Sequence, residues 1–215
     1  MTSSTDKSYK IRDVTIADRD AIVDYLRASF FKDEPLNSFL ELITEENPTC
    51  ETLEEFTVGH IPTGINLVAV HNDQIVGLLL SGPLEKGEEL TFDCQNEKYN
   101  KLVRLLDYAE KQCNPFEIYP NSTKGISVQV ISVRKDFTGR GIAAELLQKA
   151  CDLAKQEGYH FVDMACTSLY SAKLSEKLNF ELKYSLKYTD YKENGEIVFK
   201  PELPHTTLNV YLKKL

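Results

Sequence analysis

The chain has 215 residues, 42% of them hydrophobic, enough for one substantial core, so a single domain over residues 1–215 is expected. A formal charge of −8 argues against a protein that grips duplex nucleic acid and suits a small cationic substrate instead. The opening "MTSSTDKSYKIRDV" lacks the apolar core of a signal peptide, and no apolar run reaches the roughly 18–20 residues that span a bilayer, so a cytoplasmic monomer without membrane partners is expected.

In chain order, "YKIRDVT" alternates like a strand, and "IADRDAIVDYLRASFF" follows at helical spacing behind Thr15, a cap. "KDEPLN" breaks that helix, because Pro35 disfavours helical geometry in Glu34. "SFLELITEENPTCETLEEF" resumes helical spacing over 38–56. Its acids, Glu41, Glu45, Glu46, Glu51, Glu54 and Glu55, read as a solvated face with weak attraction for cations. "NLVAVHNDQIVGLLLSG" reads as a hairpin turning at 71–73, with His71 a turn residue. A helix over 98–114 ends at Asn114 and Pro115. Strand "GISVQVISV", helix "GIAAELLQKACDLAKQEG", strand "HFVDMAC", helix "SLYSAKLSEKLN" and the strands "FELKYSLKYTDY" and "TTLNVYLKKL" complete a mixed α/β sheet.

Five cysteines, Cys50, Cys94, Cys113, Cys151 and Cys166, are odd in number and widely spaced, so they read as reduced thiols with no zinc site among them. No metal is expected. Cys166 is the one weighed as a nucleophile, against the reading of a small buried residue.

Gly139-Arg140-Gly141-Ile142-Ala143-Ala144 satisfies the dinucleotide pattern G-x-G-x-x-G/A, and Asp163 lies about 20 residues on. Three features oppose a nicotinamide site. Half the chain precedes the motif, residues 134–138 separate strand from glycines, and Asp163 sits inside an apolar strand run instead of at its end. A P-loop is excluded, since no Gly-Lys-Ser/Thr follows. What remains is a glycine turn opening a helix, with free N–H groups and the positive end of the helix dipole turned toward an anion such as pyrophosphate. Arg134, Lys135 and Arg140 add positive charge around it.

"VQVISVRKDFTGRGIAAELL" resembles the acetyl-CoA signature of the GNAT N-acetyltransferases, Gln/Arg-x-x-Gly-x-Gly/Ala, with the small positions on Gly141 and Ala143 and the first on Thr138. "FFKDEPLN", "CTSLYSAKLSEKLNF" and "DYKENGEIVFKPELPH" together resemble the insect arylalkylamine N-acetyltransferases, which acetylate dopamine, serotonin, octopamine and tryptamine. The resemblance implies an α/β GNAT fold: a mixed, mostly antiparallel central sheet with a splayed parallel strand pair, here 126–133 and 160–166, flanked by helices. It implies acetyl-CoA as co-substrate, in contact with Ile131, Ser132, Val133, Thr138, Gly139, Arg140, Gly141, Ile142, Ala143 and Ser168.

A protonated amine has no lone pair with which to attack a thioester, so a base is required. Glu34, at the helix break, is the choice, since partial burial raises a carboxyl toward the working range, against the reading of a solvated acid in "KDEP"; the resemblance implies that the catalytic base is this residue. Asp33 beside it reads as a solvated acid. A backbone N–H at Val133 polarises the carbonyl. Many GNAT enzymes carry a leaving-group tyrosine just before "EKLGF", where this chain has Ser175, with Asn179 in place of the glycine. The insect group implies instead Ser171 as proton donor to the thiolate and Thr167 as a positioning hydroxyl, four residues apart. Ser168 is also a natural helix cap, and Tyr170 is assigned to the core. The leading expectation is direct acetyl transfer to an arylalkylamine. A polyamine or basic-peptide acceptor, or a catalytically degenerate coenzyme A sensor, are the alternatives.

Overall fold

The computed structural model describes residues 8–87 and 95–215. Strand β1 (Lys10–Asp13) leads to a 3-10 turn, Ile16–Asp18, where the Thr15 amide and hydroxyl both donate to Asp18 Oδ2 at 2.8 Å. Thr15 thus opens the helical segment, as its position predicts.

The helix expected over 16–31 is segmented: α1 (Arg19–Tyr25), a π-helical turn (Leu26–Phe30) and a short α2 (Phe31–Asp33). A π turn adds a residue to the helical repeat, rephasing all side chains beyond it, and such turns recur at functional sites. Glu34 then becomes extended, ψ 123°, as the residue before a proline does, and caps α3 (Pro35–Leu40). The single helix expected over 38–56 is corrected to two, because Glu41 enters the left-handed region at φ 52° and residues up to Cys50 form turns before α4 (Glu51–Val58).

Strands β2 (Leu67–His71) and β3 (Gln74–Glu85) form the expected hairpin, but its turn is the two residues Asn72 and Asp73, with φ of 47° and 59°, and His71 is corrected from a turn residue to the last residue of β2, paired with Gln74. Helix α5 (Glu97–Gln112) is capped by Asn96 and buries Tyr99, Leu102, Leu105 and Ala109 at helical spacing. Then come α6 (Pro115–Ile118), β4 (Lys124–Val133), α7 (Ile142–Gln156), β5 (Phe161–Cys166), α8 (Leu169–Lys177) and β6 (Glu181–Lys187). The strand expected to reach 191 stops at Lys187, where Tyr188–Asp190 turns into a 3-10 segment. A small hairpin, β7 (Lys192–Glu193) and β8 (Glu196–Ile197), closes on Asn194-Gly195, and β9 (Thr207–Lys214) ends the chain's regular structure.

Seven strands form one sheet in the order β1-β2-β3-β4-β5-β9-β6, mixed and antiparallel except where β4 meets β5. Helices cover both faces. On one, α1, α3, α4 and α5 pack residues such as Ile22, Leu36, Leu53, Tyr99 and Leu105 against the sheet; on the other, α7 and α8 pack Leu146, Leu147, Ala150 and Ala172. Each large apolar side chain so buried contributes on the order of 2 kcal/mol. Cys50, Cys113, Cys151 and Cys166 are free, buried thiols, while Cys94 lies outside the described residues.

Candidate active site

The parallel pair is registered at only two positions, Ile126 with Val162 and Ser127 with Asp163. Beyond them β4 continues to Val133 bound only to β3, and β5 continues to Cys166 bound only to β9, so the two strands splay. The Arg134 amide donates to Val76 O at 2.9 Å, and successive N–H groups alternate in direction, which turns the amides of Ile131 and Val133 toward the gap. The Ser132 hydroxyl bonds instead to the Tyr25 hydroxyl at 3.2 Å. A bulge opposite Leu80 and Ser81 leaves Gln129 as the extra residue of β4 and re-aims the strand at the splay.

Glu34 sits beside this gap. Its Oε2 accepts from the Asn37 amide at 2.6 Å and its Oε1 from the Thr167 hydroxyl at 2.7 Å, joining residues 133 apart in sequence. Burial raises its carboxyl above the ordinary value, partly offset by these hydrogen bonds and one from the Leu36 amide. Thr167 is held in turn by Tyr188, whose hydroxyl donates to the Thr167 carbonyl at 2.7 Å. Tyr188, not foreseen from sequence, is 2% exposed, and burial together with Glu34 pushes its hydroxyl far above the usual phenol range. Asp33 is not simply solvated: it pairs with Lys135 at 2.9 Å, tying the Glu34 loop to the loop after β4.

The glycine turn opens α7 as the motif predicts. Gly139 and Gly141 have φ of 75° and 80°, and a Cβ at either would meet no protein atom within 4 Å. Positive φ and open space together make a cradle that backbone amides of Ile142 and Ala143, at the start of the helix, can line. The surrounding charge needs correcting. Arg134 is spent on Asp136 at 2.7 Å and Lys135 on Asp33, whereas Arg140 makes no ion pair among the described residues and stacks its guanidinium over Phe137 at 4.3 Å. The Thr138 hydroxyl donates to Lys135 O at 2.8 Å, closing the turn.

At the start of α8, Ser168 caps the helix: its Oγ accepts from the Ser171 amide at 3.1 Å, and the Ser171 hydroxyl donates to Ser168 O at 3.0 Å. His205 joins them, its Nδ1 accepting from the Leu169 amide at 3.2 Å, and burial lowers its pKa. Ser171 and Glu34 are not hydrogen-bonded to each other. Ser175 is 0% exposed and donates to Ser171 O at 3.0 Å, so the position at which the resemblance implies a tyrosine faces the core here. Asn179 adopts φ 58°, a left-handed helix end that asparagine tolerates in place of glycine. Tyr170 is corrected: it is 68% exposed, against His205 at 5.5 Å.

Cys166 is 2% exposed beside Ser175, and burial lifts its thiol to about 11. It is therefore a protonated, sealed thiol at neutral pH. Cys166→Ala is expected to retain more than a small fraction of turnover; abolition together with a trapped acetyl-cysteine, detected by intact mass, would reverse this.

A cavity of about 500 Å³ opens from Glu34 across the face of the sheet that α1, α3, α4 and α5 cover. Its walls are aromatic and aliphatic, including Phe30, Phe56, Tyr99 and Leu106. The acids of α4 do not supply its polarity, since Glu54 and Glu55 pair with Arg27 at 2.7 Å and Arg19 at 2.5 Å. Asp163 does, its Oδ2 accepting from Ser127 at 3.1 Å. Sequence reading used Asp163 only to reject a nicotinamide site; the missed signal was a carboxyl inside an otherwise apolar strand.

Among the described residues no group of His, Cys, Asp and Glu could hold a metal ion, and no helix is long and apolar enough to cross a membrane. The structure superposes on arylalkylamine N-acetyltransferase 2 from Aedes aegypti with a TM-score of 0.90 at 27% identity, covering 97% of this chain and 99% of that one. A mosquito arylalkylamine N-acetyltransferase-like 5b follows at TM-score 0.85 and 22% identity, over 96% and 100% of the two chains. A Drosophila melanogaster polyamine N-acetyltransferase that forms N-acetylagmatine has a TM-score of 0.82 at 22% identity, again over 96% and 100%. The model of the acetyltransferase (GNAT) family matches residues 21–180, spanning the Glu34 loop, the splayed pair and the glycine turn, and the chain belongs to that family, whose co-substrate is acetyl-CoA.

Proposed function

We propose that the chain, as a single domain, transfers the acetyl group of acetyl-CoA to the primary amine of an arylalkylamine by direct attack in a ternary complex. The observation that carries this reading is Glu34: a half-buried carboxyl, hydrogen-bonded through both oxygens, at one end of an aromatic-walled cavity beside the splay. Glu34 takes the proton of the incoming ammonium, directly or through water, and frees the nitrogen lone pair. The N–C bond forms as the C–S bond breaks. The Val133 amide, facing the gap, stabilises the charge that develops on the carbonyl oxygen. A proton relayed through Ser171 quenches the departing thiolate, and Thr167 fixes Glu34 in place. The turn from Thr138 to Ala143 and the edge from Ile131 to Val133 hold the co-substrate; Ser168, already the helix cap, supports Ser171.

Similarity to the Aedes enzyme supports the aromatic acceptor, as do Phe30, Phe56 and Tyr99 on the cavity wall. A second reading, a polyamine acceptor, is favoured by one observation: Glu34, Glu85, Asp107, Glu110 and Asp163 line the cavity, and its described lining includes no Lys or Arg. Thiol release from acetyl-CoA with phenethylamine, dopamine, serotonin and spermidine tests both. Release with the aromatic amines is expected. Binding of acetyl-CoA without release on any amine would identify a sensor and end the transferase reading.

A further inference from the structure

Two described side chains keep a buried acceptor without a hydrogen-bond partner, Gln129 through Oε1 and Asn37 through Oδ1, and only Asn37 is nearly sealed, at 2% exposed. Asn37 lines the cavity beside Glu34. Leaving a buried acceptor unmet lowers stability, and the fold itself uses only the residue's main chain. Its amide donates to Glu34 Oε2 at 2.6 Å and its carbonyl accepts from the Leu42 amide at 3.0 Å, bonds that do not depend on the side chain. A leucine of nearly the same shape would fill the space with no polar atom left unmet.

Two hydroxyls that line the cavity are already committed, Thr167 to Glu34 Oε1 at 2.7 Å and Thr57 to Leu53 O at 2.6 Å. The missing donor is then one that a ligand brings. Glu34 and Asn37 are three residues apart and joined by a hydrogen bond, so a carboxylate and an amide oxygen stand together on one short stretch of chain. A primary ammonium, with three N–H donors on one atom, satisfies both. The terminal torsion of an asparagine is broad, so Oδ1 can turn to meet a donor arriving in the cavity. The two acceptors differ in what they do: the carboxylate takes a proton, whereas the amide oxygen accepts a hydrogen bond and takes none. A second carboxylate in this place would instead compete with Glu34 for the proton.

We propose that Asn37 Oδ1 accepts a hydrogen bond from the nitrogen of the acceptor amine while Glu34 takes its proton, so that Asn37 binds and orients the nucleophile. This deepens the transferase reading of the same cavity and rests on it. One ammonium proton passes to Glu34 and none to Asn37, so the nitrogen stays tethered through an N–H as its lone pair is freed. The tether restricts rotation about the C–N bond and fixes the nitrogen relative to the acetyl carbon.

The test measures Tm without ligands, acetyl-CoA affinity by calorimetry, and kcat/KM for phenethylamine and dopamine in wild type, Asn37→Leu and Asn37→Asp. Phenethylamine has no donor outside its nitrogen. Asn37→Leu is expected to raise Tm by about 2 °C or more, because an unmet polar atom leaves the interior, and to lower kcat/KM for both amines about tenfold or more, the size of one hydrogen bond to a charged group. Acetyl-CoA affinity should not move. Asn37→Asp keeps an acceptor and sets a second carboxyl beside Glu34, so kcat/KM above the acid limb should stay within about threefold of wild type while that limb moves to higher pH. Near wild-type kcat/KM in Asn37→Leu, or a lower Tm in that variant, overturns the proposal, the latter by showing that the amide serves the fold. So does an equal loss in Asn37→Leu and Asn37→Asp. A loss confined to dopamine would assign Asn37 to a ring hydroxyl, and a matching fall in acetyl-CoA affinity would assign it to the co-substrate; either result also overturns it. Failure of the transferase reading looks different: wild type would then release no thiol with either amine.

Discussion

Glu34→Ala is expected to lower kcat by on the order of 10²-fold or more, the effect of removing a general base, while KM for acetyl-CoA stays near wild type. The loss follows from geometry as well as charge. The carboxyl is fixed by the Asn37 amide and the Thr167 hydroxyl, and the nearby Asp33 is committed to Lys135, so no second acid stands ready. Glu34→Gln separates chemistry from fold. Burial raises the folded pKa of Glu34, so the stability associated with its neutral form is complete below the ordinary carboxyl value of 4.5 and is lost as pH rises through the raised value. Glutamine carries no such penalty. The variant should match wild type in Tm at acid pH, exceed it at neutral pH, and remain inactive at both. By the same shift, the acid limb of wild-type kcat/KM should lie above the pH of a solvated carboxylate. Near wild-type turnover in Glu34→Ala would remove the base from the mechanism.

Gly141→Val is expected to raise KM for acetyl-CoA about tenfold or more with a smaller change in kcat, the signature of an interaction shared by ground and transition states. Two causes act together. A β-branched residue at φ 80° is strained by about 1–2 kcal/mol, and its side chain enters space that no protein atom occupies within 4 Å, next to the first amides of α7. Gly195→Val supplies the control. Its φ of 86° and open surroundings impose comparable strain in the β7–β8 turn, away from the helix start. It should lower Tm without moving KM. Equal KM values for Gly141→Val and wild type would mean that the turn binds no phosphate.

The glycine turn and the Glu34 break were legible because each rests on local chemistry: φ-permissive glycines before α7, and a proline that forces the preceding residue out of a helix; the splay was expected only from the family resemblance, since it depends on how β4 and β5 pair. Segment breaks were less legible. Nothing in helical spacing marks Glu41 as left-handed or inserts a π turn at Leu26–Phe30. Lys135 and Arg134 looked like free phosphate ligands because their acidic partners, Asp33 and Asp136, become partners only through loop geometry.

By itself the sequence determined the mixed α/β order, the glycine turn that opens α7 and the helix break at Glu34, because these follow from torsional preference and periodicity, properties of a few adjacent residues. Tertiary structure alone decided that Thr167 reaches Glu34 across 133 positions, that Tyr188 braces it, that Cys166 is sealed, and that Asp163 and Glu110 share the far end of one cavity. Those outcomes depend on strand register and on which face of β5 each residue takes, and a shift of one residue would exchange Asp163 for Val162 or Met164.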